Sequence, residues 1–190
     1  MHLFKKDLFG NILFIKKILI IIIGILTYKK FQKEKKIKIL GTENIPNIKL
    51  NNVLFISNHQ TYFLDAIGII HILNSVKSKN KNNLNSLWYL FKPKLNTYYI
   101  AAKETMNSGI LPKILSYTGA ILIERTWREN GKKISRSINN NDVYNIEKAL
   151  NNGWVITFPQ GTTSKSSLVR KGTSHIIKKN QPLVIPIRID

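Results

Sequence analysis

The sequence predicts an α/β fold: a single domain with a largely parallel or mixed central sheet flanked by helices, plus an N-terminal apolar, membrane-associated helix. Three observations support this prediction. Short β-like runs alternate with helical stretches from residue 36 onward, glycines and polar turns separate these runs, and a long apolar and basic stretch precedes them. We therefore expect a membrane-associated segment over residues 1–35 and one folded domain over residues 36–190.

The N-terminal segment combines a long apolar run with many lysines. The uninterrupted run 18–28 is about half of the roughly 20 residues needed to cross a bilayer core, and extending it back to Leu8 includes Lys16 and Lys17. Lysines also flank both ends, so the positive charges give no orientation. We expect a helix that dips into or lies along one leaflet, with its lysines at the headgroups. A signal peptide is the alternative, but no small-residue cleavage site follows.

The strands of the predicted sheet are short apolar runs rich in β-branched and aromatic residues. They cover residues 37–40, 52–57, 97–102, 120–124, 154–158 and 183–189. The helices between them cover residues 64–73, 108–119, 143–153 and 173–179.

Capping residues mark several helix ends. Asp65 falls in a first turn, where a carboxylate is favoured, and Asp142 is expected to cap the third of these helices. Gly119 and Gly153 are expected to end two helices. Residues 75–86 form a polar, low-complexity stretch that predicts a surface loop.

Composition restricts the chemistry. The chain has no cysteine, which excludes disulfides, thiolate metal sites and a cysteine nucleophile. Its formal charge of +20 indicates an anionic partner such as membrane lipid or a phosphorylated substrate. The abundance of Lys, Asn and Ile offers another source for that charge, the bias of A/T-rich codons. The lysines are spread along the chain without a nucleic-acid-binding motif, so we expect no nucleic-acid partner.

Three stretches carry residues suited to catalysis or anion binding. His59 follows an apolar strand, and Asp65 is the nearest carboxylate able to orient its imidazole. Residues 157–175 hold a Gly/Thr/Ser turn followed by Arg170, Lys171 and a helix start, a plausible anion cradle. Residues 119–133 deliver Arg125 and Arg128, which suit bidentate phosphate binding. Each stretch alone is equally compatible with an ordinary loop or surface.

Taken in order, these stretches resemble the glycerolipid acyltransferases of the 1-acyl-glycerol-3-phosphate acyltransferase type. The family's Asn-His-x-x-x-x-Asp motif corresponds to NHQTYFLD (58–65), its Gly-x-x-x-Ile-x-Arg segment to GAILIER (119–125), and its Phe-Pro-Glu-Gly-Thr-Arg-Ser segment to FPQGTTS (158–164). The final Val/Ile-Pro strand corresponds to VIPIRI (184–189). The likeness covers residues 36–189.

The resemblance implies site residues. His59 is expected to act as general base with Asp65 orienting it, and no metal is expected. The expected substrate-binding residues are Lys103, Arg125, Arg128, Gln160, Gly161, Thr162, Thr163 and Lys171. A backbone amide at Gly161 or Thr162 is expected to stabilise the oxyanion.

This sequence departs from the family pattern in two places. Five residues instead of four separate His59 from Asp65, so the extra residue must be absorbed in the turn before the helix. Gln160 and Thr163 replace the family's Glu and Arg, which puts the identity of the acceptor in question.

The implied reaction is transfer of a fatty acyl group from acyl-CoA or acyl-carrier-protein to the sn-2 hydroxyl of lysophosphatidic acid, giving phosphatidic acid for phospholipid synthesis. No cofactor is expected, because the acceptor hydroxyl is itself the nucleophile. The expected location is the bacterial inner membrane, with the catalytic domain on its cytoplasmic face. Two alternatives remain open: an acyltransferase with another lipid acceptor, such as an aminolipid, and a membrane-surface binding protein that has lost the chemistry.

Overall fold

A five-stranded parallel sheet organises the chain. The computed structural model describes residues 4–34, 37–46, 49–126, 128–129, 132–134, 137–164 and 167–190. The sheet strands, in the spatial order β3-β2-β6-β1-β7, are β1 Val53–Ser57, β2 Thr97–Ala102, β3 Ala120–Ile123, β6 Trp154–Thr157 and β7 Leu183–Ile187. A separate two-stranded antiparallel hairpin is formed by β4 Arg128–Glu129 and β5 Lys132–Lys133.

Six α-helices accompany the strands within these described ranges. They are α1 Leu13–Lys29, α2 Leu64–Lys77, α3 Lys103–Met106, α4 Ile110–Ser116, α5 Asn140–Asn152 and α6 Lys171–Asn180. A single turn of π-helix, Lys30–Glu34, extends α1. Two 3₁₀ turns cover Thr42–Asn44 and Leu87–Phe91. The single α/β domain and its parallel sheet are as the sequence predicts.

Alternation along the strands creates two cores, one on each face of the sheet. Val53 and Phe55 of β1 pack on the face covered by α2, whereas Leu54 between them packs on the face covered by α5 and α6. Neighbouring Tyr99 and Tyr98 of β2 divide between the two faces in the same way. This burial fixes the register of the strands, so their carboxyl ends meet at one edge.

Two predicted features of the secondary structure are wrong. Residues 37–40 are not a strand, and the two positions beside β1 in the sheet are taken by β6 and β7. The cap of α5 is Asn139, whose side chain accepts from the Asn141 N–H. Asp142 instead lies inside the first turn and accepts the Glu124 N–H at 2.9 Å.

Helix α1 is anchored to the domain by a buried ion pair. Lys16 Nζ lies 3.0 Å from Asp7 Oδ2, and the two side chains are 0% and 2% exposed. The Lys16 ammonium also lies over the ring of Tyr98, 4.5 Å from its centroid. The prediction that Lys16 reaches lipid headgroups is therefore wrong, because Asp7 gives it a counter-charge in the interior.

The length of α1 bears on how it could meet a membrane. It has 17 residues, and none of the helices in the described ranges is long and apolar enough to cross a bilayer. The structure confirms a helix at the predicted place, and membrane association remains a prediction.

Candidate active site

The spatial order of the strands brings the three motifs together at the carboxyl edge of the sheet. His59 follows β1, and Phe158 and Gln160 follow β6, the direct neighbour of β1. Arg125 follows β3, which pairs with β2. Because β2 also pairs with β6, the histidine and the arginine share one cleft.

His59 and Asp65 are hydrogen-bonded. His59 Nδ1 lies 2.8 Å from Asp65 Oδ2, and their side chains are 15% and 5% exposed. A carboxylate can only accept, so Nδ1 carries the proton that is donated, and Nε2 is left unprotonated in the neutral ring. A neutral imidazole held in this tautomer is suited to act as a general base.

The turn between the two residues absorbs the additional residue, as the sequence predicts. Helix α2 begins at Leu64, so the chain between His59 and Phe63 is non-helical. Asp65 Oδ2 accepts the backbone N–H groups of Gln60 and Thr61 at 2.6 and 2.9 Å, and Asp65 Oδ1 accepts the Thr61 hydroxyl. The carboxylate therefore shapes the turn as well as orienting the imidazole.

These hydrogen bonds keep Asp65 ionised. Burial alone would raise the pKa of Asp65, but the Thr61 hydroxyl, the Thr61 and Gln60 N–H groups and His59 together hold that pKa below its ordinary value. The negative charge is therefore available to stabilise an imidazolium on His59.

The third motif supports His59 from the other side. The Phe158 ring stacks on the imidazole, with centroids 4.3 Å apart and planes 23° from parallel. Gln160 Oε1 accepts the backbone N–H of His59 at 3.1 Å. Gln160, which the resemblance assigns to substrate binding, thus contacts the catalytic loop directly.

The segment after β7 braces the same loop. Asn58 Nδ2 donates to the Ile189 carbonyl at 2.6 Å, and the Ile189 N–H donates to Asn58 Oδ1 at 2.7 Å. Gln60 Nε2 donates to that carbonyl as well, at 2.6 Å. His59 is therefore flanked by two residues that are both fixed to the backbone at Ile189.

Arg125 occupies the opposite part of the cleft. Its guanidinium donates to Thr105 Oγ1 at 3.0 Å and to Glu104 Oε2 at 3.4 Å, and the side chain is 20% exposed. These contacts hold a planar, bidentate donor at the cleft wall.

The other predicted cations are placed differently. Lys103 Nζ pairs with Glu124 Oε1 at 3.8 Å, is 58% exposed, and does not line the cleft. Arg128 lies in β4, and its side chain is outside the described part of the chain. Lys171 begins α6 and lines the cleft beside Arg170.

The cleft measures about 560 Å³ and holds both kinds of surface that a lipid substrate needs. Its polar wall includes Gly161, Thr162, Thr163, Arg170 and Lys171. Its apolar wall includes Ile100, Met106, Ile123, Ile146 and Ile176.

Comparison with known families decides what kind of enzyme this is. A family model described as Acyltransferase matches residues 36–190. The chain belongs to this acyltransferase family. The match supports the glycerolipid type that the motifs resemble, and with it acyl transfer in lipid metabolism from an acyl donor to a lipid acceptor. No curated protein matches the chain significantly, and neither does any solved structure.

Of the two backbone amides predicted as oxyanion donors, Gly161 and Thr162, one is already engaged in a hydrogen bond. The Gly161 N–H donates to the Phe158 carbonyl at 2.9 Å and closes a turn in which Gly161 has φ of 65°, a conformation that favours glycine. No acceptor for the Thr162 N–H lies within the described part of the chain. Of the two amides considered, only that of Thr162 therefore remains available.

The roles of several residues of the acyltransferase site could not be read from the sequence. Phe158 opens the third motif, but nothing in the sequence predicts that its ring stacks on His59. Glu104 and Thr105 belong to a short helix that was not predicted. Their proximity to His59 and Arg125 depends on strand order, which a single sequence does not give. No cluster of three His, Cys, Asp or Glu side chains suited to a metal ion occurs in the described ranges.

Proposed function

We propose that this acyltransferase transfers a fatty acyl group from acyl-CoA or acyl-carrier-protein to the sn-2 hydroxyl of a lysophosphatidic-acid-like acceptor, giving phosphatidic acid. The observation that carries the proposal is the hydrogen-bonded pair His59–Asp65 in one cleft with Arg125. The pair supplies a base, and the arginine supplies a site for phosphate.

In the proposed reaction, His59 Nε2 takes the proton of the acceptor hydroxyl as its oxygen attacks the thioester carbonyl. The Thr162 N–H stabilises the resulting oxyanion. The carbon–sulfur bond then breaks, and the imidazolium returns its proton to the leaving thiolate. Asp65 stays ionised throughout and stabilises the imidazolium. The acceptor oxygen is the nucleophile, so the reaction requires neither a covalent enzyme intermediate nor a cofactor.

The two walls of the cleft suit the two ends of the acceptor. Arg125, Thr163 and Lys171 would bind the phosphate, while the isoleucines of the apolar wall would contact acyl chains. A lysolipid acceptor resides in the bilayer, since extracting its chain costs about 0.8 kcal/mol per methylene. This cost favours an enzyme that works at a membrane surface, and we propose the cytoplasmic face of a bacterial inner membrane as its location.

A second acceptor class is favoured by a specific observation. Three carboxylates, Glu104, Glu124 and Asp142, line the same cleft as Arg125, and Thr163 lacks the charge of its family counterpart. An aminolipid would present an ammonium to these carboxylates. The shifted His–Asp spacing and the altered third motif were the reasons to consider a binding protein without chemistry, and the 2.8 Å hydrogen bond removes the first of them.

The test is an acyl-transfer assay on membranes carrying the protein, with labelled acyl-CoA or acyl-carrier-protein and a panel of lyso-acceptors. We expect transfer to lysophosphatidate and a loss of at least about 100-fold in His59→Ala. Transfer to an aminolipid alone would favour the second acceptor class. Absence of transfer to every acceptor would refute the proposal, and full activity of His59→Ala would refute the mechanism.

A further inference from the structure

Helix α1 exposes its apolar side. Phe14, Ile18, Ile22 and Ile25 follow one another at helical spacing, and Leu26 beside them is 75% exposed. The opposite side of the helix, with Lys16, Ile20 and Gly24, is buried against the domain. A helix on a water-facing surface normally has the reverse arrangement, with polar residues outward.

The 3₁₀ turn Leu87–Phe91 extends this surface on one side of α1. Trp88 is 79% exposed, and Leu87 and Phe91 are exposed beside it. The turn packs tightly on α1, since a Cβ at Gly24 would lie 2.6 Å from Leu90 Cδ2. The exposed aromatic residues are therefore held at a fixed position next to the apolar side of α1.

Helix α4 extends the surface further. Ile110 and Leu111 are 81% and 61% exposed, and Ile114 and Tyr117 are partly exposed on the same short element. Leu115 of α4 lines an apolar cavity together with Ile20 and Ile23 of α1, so the two helices border the same cavity. Exposed apolar surface on three adjacent elements is more than a soluble monomer normally carries.

Lysines border this surface, and none of the three elements contains an aspartate or glutamate. Lys17 and Lys92 each lie close enough to Lys77 to repel its charge, and burial together with this repulsion lowers the pKa of Lys77. Lys113 on α4 is exposed as well. A cationic border matches anionic lipid headgroups and would repel a second copy of the same face.

We propose that α1, the turn Leu87–Phe91 and α4 together form a docking face that lies in the plane of one leaflet of an anionic bilayer. The inference deepens the proposed function and rests on it for its purpose, which is to hold the cleft where a lysolipid resides. Trp88 supplies an amphipathic ring at the interface, and the lysines contact the headgroups. The footprint thus includes two elements outside the N-terminal segment.

Flotation of the purified full-length protein with vesicles tests this face. On phosphatidylcholine vesicles containing phosphatidylglycerol, we expect the double variant Trp88→Ser/Ile110→Ser to bind at least about tenfold more weakly than wild type. Tyr144→Ser is the matched control, because Tyr144 is 61% exposed on α5 and should leave binding unchanged. Thermal unfolding verifies that each variant is folded. Equal binding by the double variant and the wild type would overturn the proposal.

A charge series tests the anionic preference. The wild type should bind vesicles containing phosphatidylglycerol more tightly than vesicles of pure phosphatidylcholine, and the double variant Lys17→Glu/Lys92→Glu should lose this preference. The control Lys178→Glu, at an exposed lysine on α6, should retain the preference. An unchanged preference in the double variant would overturn the cationic border. A wild type that ignores vesicles and forms stable dimers in light scattering would show that a second copy covers the face.

A water-soluble short-chain lysophosphatidate separates the failure of this face from the failure of the proposed function. Face variants should process the soluble acceptor like wild type and lose activity only on acceptors in vesicles. Vesicle binding without transfer to either acceptor would support the docking face and refute the proposed function. Transfer to the soluble acceptor by a protein that does not bind vesicles would support the proposed function and refute the docking face.

Discussion

Gln160 accepts the backbone N–H of His59 at 3.1 Å and thereby joins the loop after β6 to the loop after β1. Its Nε2 faces the Ser167 carbonyl at 3.5 Å. The amide offers the same acceptor oxygen that a glutamate would offer here, but it has no charge and adds a donor N–H that a glutamate lacks. The departure from the family motif at this position therefore affects the catalytic loop more directly than it affects the substrate.

We expect Gln160→Glu to keep kcat within about threefold of wild type and Gln160→Leu to lower kcat about fivefold, because one hydrogen bond worth about 1 kcal/mol is lost. KM should change little in either variant. Steady-state kinetics for both substrates measure these effects. A raised KM with unchanged kcat in Gln160→Leu would mean that this side chain binds substrate instead.

Asp65→Asn should lower kcat by at least about 100-fold, because an amide cannot hold the imidazole tautomer or stabilise an imidazolium equally well. Thr61→Val removes one of the hydrogen bonds to the carboxylate and should cost only a few-fold. Kinetics and thermal unfolding of both variants measure this. Similar kcat losses in the two would indicate that the turn, rather than the charge of Asp65, limits the reaction.

Arg125→Ala should raise the acceptor KM by about tenfold or more, because a charge-assisted contact with phosphate is lost. Lys103→Ala should leave that KM within about twofold, since Lys103 pairs with Glu124 and is exposed. Kinetics with lysophosphatidate compare the two variants. An equal effect of Lys103→Ala would return this lysine to the phosphate site, and an unchanged KM in Arg125→Ala would remove the arginine from it.

The burial of His71 in the folded protein should make its stability sensitive to acid. His71 is buried between Thr27 and Tyr89, whose hydroxyls lie 2.8 and 2.7 Å from its two ring nitrogens, and burial lowers its pKa from 6.5 to about 4. As the pH falls, His71 is therefore protonated in the unfolded chain before it is protonated in the folded protein. The free energy of unfolding decreases by about 3 kcal/mol between pH 6.5 and pH 4.

Denaturant unfolding across pH 4–7 measures this dependence. His71→Gln should flatten the curve in that window, whereas His175→Gln, at an exposed histidine on α6, should not. A curve that His71→Gln leaves unchanged would assign the acid sensitivity to other groups.

Asp7→Asn should destabilise the protein by about 3 kcal/mol, because it leaves Lys16 buried without its counter-charge. Adding Lys16→Met should recover part of that loss in a double-mutant cycle. Glu147→Gln breaks the exposed pair with Lys179 and should cost less than about 1 kcal/mol. Denaturant unfolding compares all of these variants. Equal losses in Asp7→Asn and Glu147→Gln would argue against a buried anchor.

The sequence supplies much of the site because its motifs follow strands whose apolar runs are unambiguous. The absorption of the extra residue before Asp65 could also be predicted, since only a non-helical turn lets the two side chains meet. The pairing of Lys16 with Asp7 could not, because lysine in an apolar helix is compatible with either headgroups or a buried partner. Strand order was equally inaccessible, so neither the stacking of Phe158 on His59 nor the exclusion of residues 37–40 from the sheet could be predicted.

The hydrogen bonds from Asn58 and Gln60 to Ile189 have a consequence for the order of assembly during synthesis. Asn58 and Ile189 are 131 residues apart, so the loop that carries His59 leaves the ribosome long before its brace. Until β7 is added beside β1, a nascent chain has its base and carboxylate but lacks the support that fixes them. We therefore expect acyl transfer to begin only after β7 has docked, so that catalytic competence appears later than the synthesis of the His59 loop itself.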